Sequence, residues 1–336
     1  MTRKRLYLFA ALLTLAVAGI VTGVVVNAVK KSNADVGDPN AAPTDLSIRP
    51  DSALSRSFYG LAYTPLSAQY PWCGSTLREV VEDIKILSQM TTRLRLYGMD
   101  CQQADFTLQA IRLLKVPMKV MVTLWVDSNA TTYQRQVDTL WSVLDTHGTD
   151  MIEGISVGNE ALFREEVTLT DLSSRMTTIR TQLQTRGYKS VPVFTSEMGS
   201  LYTTGLIKAS DLALANIHPY FAGGTVQAAP QWTDTYFTEN ILNPSKAQGK
   251  PAIIGEVGWP TAGASQNASV ASVNNLQYFV DNYVCQANAQ GVAYYFFEAF
   301  DEPWKEKTFT LLEASWGLLE AKSRKPKVKL PKCPLS

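Results

Sequence analysis

Short apolar runs of β-forming character alternate with longer amphipathic segments from Phe58 onward. Strands that are apolar almost throughout are typical of a parallel sheet with helices on both faces. Eight such strand-helix units over about 250 residues predict a single closed (β/α)8 TIM barrel. The runs are Phe58–Tyr63, Thr92–Tyr97, Lys119–Trp125, Ile152–Val157, Val191–Ser196, Leu212–His218, Ala252–Gly255 and Val292–Phe297.

The segments between these runs carry the signals of helices. Thr76 and Glu79 match a capping box after the first run. With 46% hydrophobic and only 18% charged residues, the chain can bury a large core, and we expect one barrel domain at 58–320. Apolar residues share one helical face at Leu77, Val80, Val81, Ile84 and Leu87, and again at Leu172, Met176, Ile179 and Leu183.

The charges of the chain balance almost completely. Its 31 basic and 30 acidic residues leave a formal charge of +1, which provides no field suited to nucleic-acid phosphates. Two histidines, and four cysteines without a C-x-x-C pair, do not form the pattern of a zinc site. We therefore expect no nucleic-acid partner, no metal and no cofactor.

An uncharged apolar stretch at 6–29 has basic residues on both sides. Crossing a bilayer takes about 20 apolar residues, whereas the apolar part of a cleavable signal peptide has about 7–15. The stretch therefore predicts an uncleaved transmembrane signal anchor in the lipid bilayer of the cell membrane. The larger positive charge before it places a tail at 1–5 in the cytosol and the rest outside, as in a type II protein. Signal-peptide cleavage after Ala28, followed by secretion, remains an alternative.

Polar segments flank the barrel domain. Residues 30–57 are rich in Asn, Asp, Ser, Ala and Pro without periodicity, which predicts a solvated linker. Residues 321–336 form a basic tail that we interpret as a solvated strap.

An extracytoplasmic location permits disulfides and N-glycosylation. Four cysteines allow three pairings, of which the sequential one, Cys73–Cys101 and Cys285–Cys333, closes the shortest loops. The second bridge would hold the C-terminal tail against the domain. Glycosylation sequons begin at Asn129 and Asn267.

Two glutamates close apolar strands that lie on opposite sides of the predicted barrel. Glu160 ends the fourth unit and Glu256 ends the seventh, so both carboxylates can face each other across its mouth. A pair of carboxylates about 5–5.5 Å apart suits retaining glycoside cleavage, with one as proton donor and the other as nucleophile. The alternative for either glutamate alone is a structural ion pair with an arginine at a strand end.

Aromatic side chains at or just after strand ends offer surfaces on which sugar rings can stack, although core packing competes for each of them. Trp141 and Trp316, within helical patterns, are assigned to packing. His218 ends the sixth run, where a contact with substrate or a carboxylate competes with a role in the core. His147, before Gly148, is interpreted as a helix C-terminal capping residue. The strand-end aromatics are Tyr63, Tyr97, Trp125, Tyr220, Trp259 and Trp304.

Four motifs in this order resemble the family 17 glycoside hydrolases of the fungal type, which are β-1,3-glucanases and β-1,3-glucanosyltransferases. They are RLYG at 95–98, SVGNE at 156–160, GEVGWP at 255–260 and FDEPWK at 300–305. The resemblance covers about Phe58 to Leu319. It implies a retaining (β/α)8 enzyme that remodels cell-wall β-1,3-glucan. Separately, we expect the protein to be a monomer.

The resemblance also implies roles for individual residues. Glu160 matches the family's acid/base and Glu256 its nucleophile. Tyr97 would contact the nucleophile, and Asn159 would bind the sugar hydroxyl next to the scissile bond. The remaining substrate-site candidates are Glu302 and Lys305, which would form a supporting charged pair, and Glu298, which replaces an apolar or small residue of plant members.

Two other functions compete with this one. A serine hydrolase is suggested by the G-x-S-x-G pattern around Ser156, but a nucleophile elbow needs the serine between a strand and a helix, whereas Ser156 lies within a predicted strand. A non-catalytic β-glucan-binding protein that tethers the wall would keep the barrel without turnover, and the presence of both glutamates favours an enzyme instead. Hydrolysis and glucanosyl transfer share one intermediate, so residue types leave them open, as they do endo or exo action.

Overall fold

The computed structural model describes residue 38, residues 40–333 and residue 335. Contacts divide the chain into two units, Met1–Pro43 and Thr44–Ser336, and the barrel belongs to the second. The predicted tail at 1–5, the anchor at 6–29 and the cleavage site after Ala28 lie outside the described residues. Within the described part, no helix combines the length and apolarity needed to cross a bilayer.

Eight parallel strands form a closed barrel, which confirms the predicted fold. Each strand pairs with the next in sequence, and β8 pairs with β1 through Leu61 opposite Phe296. Every predicted run overlaps one strand, and β4, β5 and β7 each extend two residues beyond the predicted run. The strands are β1 Gly60–Ala62, β2 Arg93–Arg95, β3 Lys119–Leu124, β4 Ile152–Asn159, β5 Val193–Met198, β6 Ala213–Asn216, β7 Ala252–Val257 and β8 Tyr294–Phe296.

Helices connect the strands and cover the outside of the barrel. The predicted capping box is present, since Thr76 Oγ1 accepts the Glu79 N–H and the Glu79 carboxylate accepts the Thr76 N–H. His147 is the last residue of its helix, but its ring binds Asp105 at 2.7 Å and the cap is Gly148, so the capping interpretation was wrong. The α-helices of the described chain are α1 Leu77–Leu87, α2 Gln103–Leu114, α3 Ala130–His147, α4 Leu169–Thr185, α5 Thr204–Ala209, α6 Ala229–Phe237, α7 Asn243–Ala247, α8 Val273–Ala289 and α9 Pro303–Thr308.

A small buried cluster separate from the main core fills the barrel interior. Large rings of this cluster lie against strand glycines: a Cβ at Gly60 would come within 2.6 Å of Tyr295, and one at Gly154 within 2.6 Å of Phe194. Glycine at these two positions gives the rings their room. Because the interior is occupied by side chains, open space for a ligand is left at the strand ends. The cluster consists of Met121, Phe194, Leu212, Leu214 and Tyr295.

The predicted solvated linker at 30–57 is wrong for its last part. From Thr44 the chain belongs to the barrel unit, and Leu46 and Leu54 pack against the core. Arg56 Nη2 also donates a 2.9 Å hydrogen bond to the carbonyl group that follows α1. The last part of this segment is therefore held against the barrel unit by Leu46, Leu54 and Arg56.

The basic tail at 321–336 is bound to the barrel unit through paired charges, which corrects the solvated interpretation. Arg324 Nε lies 2.6 Å from Asp83 Oδ1, and Lys327 Nζ lies 2.6 Å from Asp301 Oδ1. The Lys327 side chain is only 9% exposed. The tail is thus a packed strap.

Both predicted disulfides are present in the structure. Cys73 is bonded to Cys101 and Cys285 to Cys333, with sequence separations of 28 and 48 residues. The second bond joins the strap to α8. It closes the longer loop, so the chain-entropy model assigns it the larger stabilisation.

We expect the double replacement Cys285→Ser with Cys333→Ser to destabilise the domain by about 4 kcal/mol, the entropy of an unfolded loop of this length. Thermal unfolding of the oxidised protein should show this as a melting temperature several degrees lower. The control is reductant, which should lower the melting temperature of the parent protein much more than that of the double variant. An unchanged melting temperature in the variant would contradict the prediction.

Candidate active site

A cleft of about 500 Å³ opens at the carboxyl ends of the strands. It is lined by residues that follow β1 to β4 on one side and by residues of β7 and the segment after β8 on the other. Both predicted catalytic glutamates lie in it. The polar and aromatic side chains that line it include Tyr97, Trp125, Asn159, Glu160, Arg164, Glu256, Glu302, Trp304 and Lys305.

Glu256, near the end of β7, is held by two nitrogen donors. Arg95 Nη1 lies 3.0 Å from Glu256 Oε1, and His218 Nε2 lies 2.9 Å from Oε2. Because a carboxylate only accepts hydrogen bonds, Nε2 carries the proton of the imidazole. Arg95 is fully buried on β2, so its charge is little screened by solvent at the distance of Glu256.

These contacts keep Glu256 ionised. Burial raises its pKa, but the Arg95 guanidinium, His218 and the Tyr97 hydroxyl together outweigh burial and lower the pKa to about 2. The Tyr97 hydroxyl has no well-aligned hydrogen-bond partner among the described residues, yet it is close enough to the carboxylate to contribute. An ionised carboxylate in the cleft has the charge state that a covalent nucleophile needs.

Glu160 follows β4 and is turned away from the strand by its backbone. Its φ is +54°, in the left-handed region, and Gly158 two residues earlier has φ +90°. A non-glycine residue in this region is uncommon and occurs at functional sites more than elsewhere. The side chain accepts a 2.8 Å hydrogen bond from Asn216 Nδ2.

The surroundings of Glu160 favour its protonated form. Burial raises the pKa of this carboxyl, and the negative charge of Glu256 raises it further, against the weaker opposing effect of the Asn216 hydrogen bond. Glu160 and Glu256 therefore have pKa values shifted in opposite directions within one cleft. Such a separation is how two carboxylates divide acid and nucleophile roles.

Arg95 and Asn216 connect the two glutamates. Arg95 Nη1 donates to Glu256 Oε1 and, at 3.2 Å, to Asn216 Oδ1, while Asn216 donates to Glu160. Arg95 Nη2 also donates to Asn159 Oδ1 at 2.7 Å, which orients the Asn159 amide at the cleft. Sequence reasoning quoted Arg95 in a motif without assigning it a role and missed Asn216, although both lie at strand ends.

His218 contacts the Glu256 carboxylate, and a carboxylate was one of the two functional contacts expected for this histidine. Besides Glu256, its ring packs against Trp316 at 4.9 Å and Phe297 at 5.4 Å between centroids. Trp316 is buried as expected, but it lies in an irregular segment after β8 and not in a helix. Aromatic packing therefore fixes the imidazole that holds Glu256.

A charged cluster forms one wall of the cleft. Lys305 Nζ lies 3.2 Å from Glu302 Oε2 and 3.4 Å from Glu298 Oε1, so the implied charged pair is present and Glu298 joins it. Trp304 Nε1 donates to Glu302 Oε2 at 2.8 Å. Burial and the neighbouring Glu302 hold the pKa of Glu298 well above its usual range. Glu298 is thus a buried support for Lys305, not a cleft-lining side chain.

Three strand-end aromatics do not reach the cleft, which corrects the stacking expectation. Tyr63 is 1% exposed and Tyr220 and Trp259 are 0% exposed. Their polar atoms bind inside the protein: Tyr63 Oη donates to Asp83 at 2.7 Å and Trp259 Nε1 to a backbone carbonyl at 2.9 Å. Tyr63 thus contacts α1, Trp259 packs against Phe279 of α8, and Tyr220 packs against Trp259 and Trp316. Tyr97, Trp125 and Trp304 do line the cleft.

A third strand-end glutamate was missed. Glu197, on β5, is fully buried, and its carboxylate accepts the backbone N–H groups of Leu162 at 2.9 Å and Phe163 at 3.3 Å. Burial raises its pKa to about 7 even though both hydrogen bonds oppose this. The signal was available, because Glu197 directly follows the fifth apolar run.

Arg164 was also missed, and it lies over one face of Trp125. Its guanidinium is 4.2 Å from the centre of the Trp125 ring. It donates hydrogen bonds to the Asn159 carbonyl at 3.1 Å and the Val126 carbonyl at 2.8 Å. These contacts join the ends of β3 and β4 and fix the Trp125 ring at the cleft.

Ser156 does not have the surroundings of a nucleophile. It is fully buried within β4, and its hydroxyl donates to the Gly158 carbonyl at 2.8 Å.

Within the part of the chain that the structure describes, no group of three or more His, Cys, Asp or Glu side chains is arranged to hold a metal. Asn129 and Asn267 are exposed, and their glycosylation stays a prediction.

Comparisons with known proteins found relatives over most of this chain. A model of the BtgE/BtgC glycoside hydrolase domain matches residues 60–317. A protein of Aspergillus flavus named probable glucan endo-1,3-beta-glucosidase btgC is 37% identical over 327 residues, which cover 90% of this chain and 47% of that protein. The glucan endo-1,3-beta-glucosidase btgC of Emericella nidulans is 33% identical over 83% of this chain and 47% of its own length. This chain thus spans about half the length of these relatives.

Solved structures are similar over nearly the whole barrel. The glycoside hydrolase family 17 beta-1,3-glucanosyltransferase of Rhizomucor miehei superposes with a TM-score of 0.72 at 26% identity, covering 83% of this chain and 99% of that one. A beta-1,3-glucanase of Cryptomeria japonica pollen, with 17% identity and a TM-score of 0.60 over 82% of this chain and 99% of its own, shares the fold.

Proposed function

The chain belongs to the BtgE/BtgC glycoside hydrolase domain family, and we propose that it cleaves β-1,3-glucan with retention of configuration through a covalent glycosyl-enzyme intermediate. The observation that carries the proposal is the position of Glu256 and Glu160 in one cleft, with the pKa of Glu256 lowered and that of Glu160 raised. The choice of β-1,3-glucan as substrate is supported by the names of the relatives.

In the first step, Glu256 attacks the anomeric carbon while Glu160 gives its proton to the departing glycosidic oxygen. One C–O bond forms at Glu256 and the glycosidic C–O bond breaks, so the charge of Glu256 is consumed. Arg95 and His218 hold the attacking carboxylate in place, since each of them donates to one of its two oxygens.

Formation of the ester removes a charge that raises the pKa of Glu160, and the second step needs this lower pKa. Once Glu256 is esterified, its negative charge no longer raises the proton affinity of Glu160. Glu160 can then stay ionised and accept a proton from an incoming hydroxyl group as general base. Water as the incoming group gives hydrolysis, and a hydroxyl of a second glucan gives glucanosyl transfer.

The test is to incubate the protein with a β-1,3-gluco-oligosaccharide of defined length and to size the products. Shorter chains alone indicate hydrolysis, and chains longer than the substrate indicate transfer. A β-1,4-gluco-oligosaccharide of equal length is the control for linkage, and Glu256→Gln is the control for contaminating enzymes. Binding of the β-1,3-linked chain without turnover would contradict the proposal and identify a non-catalytic glucan-binding protein.

The proposed place of action is outside the cytoplasm, either on the membrane through the apolar stretch at 6–29 or in the cell wall after cleavage at Ala28. The two disulfides support an oxidising compartment. Mapping of thiols in the protein from its natural source tests this, since four free thiols would contradict it. N-terminal sequencing of the same material distinguishes the anchored form from the cleaved one.

A further inference from the structure

Glu197 is a buried carboxylate that the reaction scheme above does not use. It is fully buried on β5, directly behind the segment that carries Glu160. Burying a carboxylate is costly unless hydrogen bonds or a cation compensate. Its position therefore requires an explanation.

The Glu197 carboxylate and the neighbouring Ser196 carbonyl both accept hydrogen bonds from the backbone of one turn. The Glu160 N–H donates to the carbonyl of Ser196 at 2.7 Å, and the Leu162 and Phe163 N–H groups donate to the Glu197 carboxylate. The end of β5 thus binds three backbone donors of a four-residue stretch. Glu160 has its left-handed backbone within that stretch.

Among the described residues no cation forms an ion pair with Glu197, although the nearby charge of Arg164 opposes the rise of its pKa. The facing guanidinium, Arg164, forms its ion pair with Glu166 at 3.3 Å and is otherwise bound to carbonyl groups. A carboxylate that binds two N–H groups through its two oxygens cannot be replaced by an amide without loss, because the amide nitrogen is a donor facing a donor. The residue type therefore matters to the turn.

We propose that Glu197 is a positioning residue for the acid/base, whose carboxylate holds the backbone turn that aims Glu160 at the glycosidic oxygen. Glu197 itself does not line the cleft, so it acts through Glu160 alone. The inference rests on the proposed function, because it assigns Glu197 to the proton-donation step of that reaction.

The Glu197 and Glu160 carboxyls also interact through charge. The groups that face Glu197 are Glu160, Arg164 and the Tyr202 hydroxyl. Burial raises the pKa of Glu197 to about 7, and the negative charge of Glu160 contributes to this rise. The two carboxyls are therefore neighbours as well as being joined through the backbone of the turn.

The test compares Glu197→Gln with the parent protein on two aryl β-laminaribiosides. Phenol as leaving group needs a proton, whereas 2,4-dinitrophenol leaves without one. We expect kcat/KM for the phenyl glycoside to fall about 10- to 100-fold, the cost of a misplaced acid, and kcat/KM for the dinitrophenyl glycoside to stay within about 3-fold.

Glu166→Gln is the matched control, since Glu166 also accepts a backbone N–H, from Ser128 at 2.7 Å, and lies in the same segment. It should not distinguish the two leaving groups. If Glu197→Gln does not fold, Glu197→Asp retains the charge but shortens the side chain, and is expected to show the same selectivity for leaving group. Equal losses on both glycosides, or no loss on either, would overturn the proposal. Failure of the parent protein to turn over either glycoside would instead refute the proposed function.

Discussion

Replacement of Glu256 by alanine is expected to remove turnover of every β-1,3-glucan substrate, whatever its leaving group. The variant has no oxygen to bond the anomeric carbon, and proton donation by Glu160 cannot replace that bond. Loss of a covalent nucleophile leaves only binding and electrostatic contributions, so kcat/KM should fall on the order of 10⁴-fold or more. The measurement is the initial rate on a β-1,3-gluco-oligosaccharide and on a dinitrophenyl β-laminaribioside.

Azide distinguishes this loss from misfolding. In Glu256→Ala, azide can enter the space of the missing carboxylate and attack the dinitrophenyl glycoside from the same face, which gives an inverted glycosyl azide. Glu153→Gln, at the opposite end of the barrel where Glu153 pairs with Arg93, is the matched control and should remain active. A Glu256→Ala protein that still cleaves the oligosaccharide at the parent rate would show that the nucleophile lies elsewhere.

The barrel was predictable because its strands are buried on both faces. A run such as Lys119–Trp125 has no polar face, and that pattern is typical of a parallel sheet under helices. Glu160 and Glu256 followed from the same pattern, because the ends of such strands meet at one rim of the barrel. Here topology alone brought together residues that are distant in sequence.

The direction of side chains at strand ends was not predictable in the same way. Alternation along a strand decides which residue faces the barrel mouth, but register irregularities interrupt it near the cleft, between Ser156 and Asn159 and between Ile254 and Val257. Trp259 follows the second irregularity and points into the helix layer, fully buried. Sequence shows that an aromatic residue follows a strand, but not which way it points.

Residues that act through long-range hydrogen bonds were also hard to find. Arg95 reaches Glu256 across 161 residues of sequence and Asn216 across 121. The residue types arginine and asparagine do not indicate from the sequence which distant residue they will bind. Glu197 differs, since it directly follows the fifth predicted run just as Glu256 directly follows the seventh, so the strand-end pattern indicates it equally well.

Replacement of Glu160 by alanine is expected to produce a loss that depends on the leaving group. On a β-1,3-gluco-oligosaccharide, whose leaving oxygen needs a proton, kcat/KM should fall about 10²- to 10⁴-fold, the usual contribution of a general acid. On the dinitrophenyl glycoside, Glu256 should still form the glycosyl-enzyme. Its hydrolysis then lacks a base, so a burst of dinitrophenol followed by slow turnover should be observed.

Two further measurements identify the role of Glu160. Azide needs no base, so it should restore turnover of the dinitrophenyl glycoside and give a glycosyl azide of retained configuration. The pH profile should change as well: activity of the parent falls as pH rises through the pKa of Glu160, which burial and Glu256 place above its ordinary value, and this alkaline limb should be absent from kcat/KM of the variant on the dinitrophenyl glycoside. An inverted azide product, or an equal loss on both substrates, would contradict the assignment, because a residue that donates the proton cannot be equally needed where no proton is required.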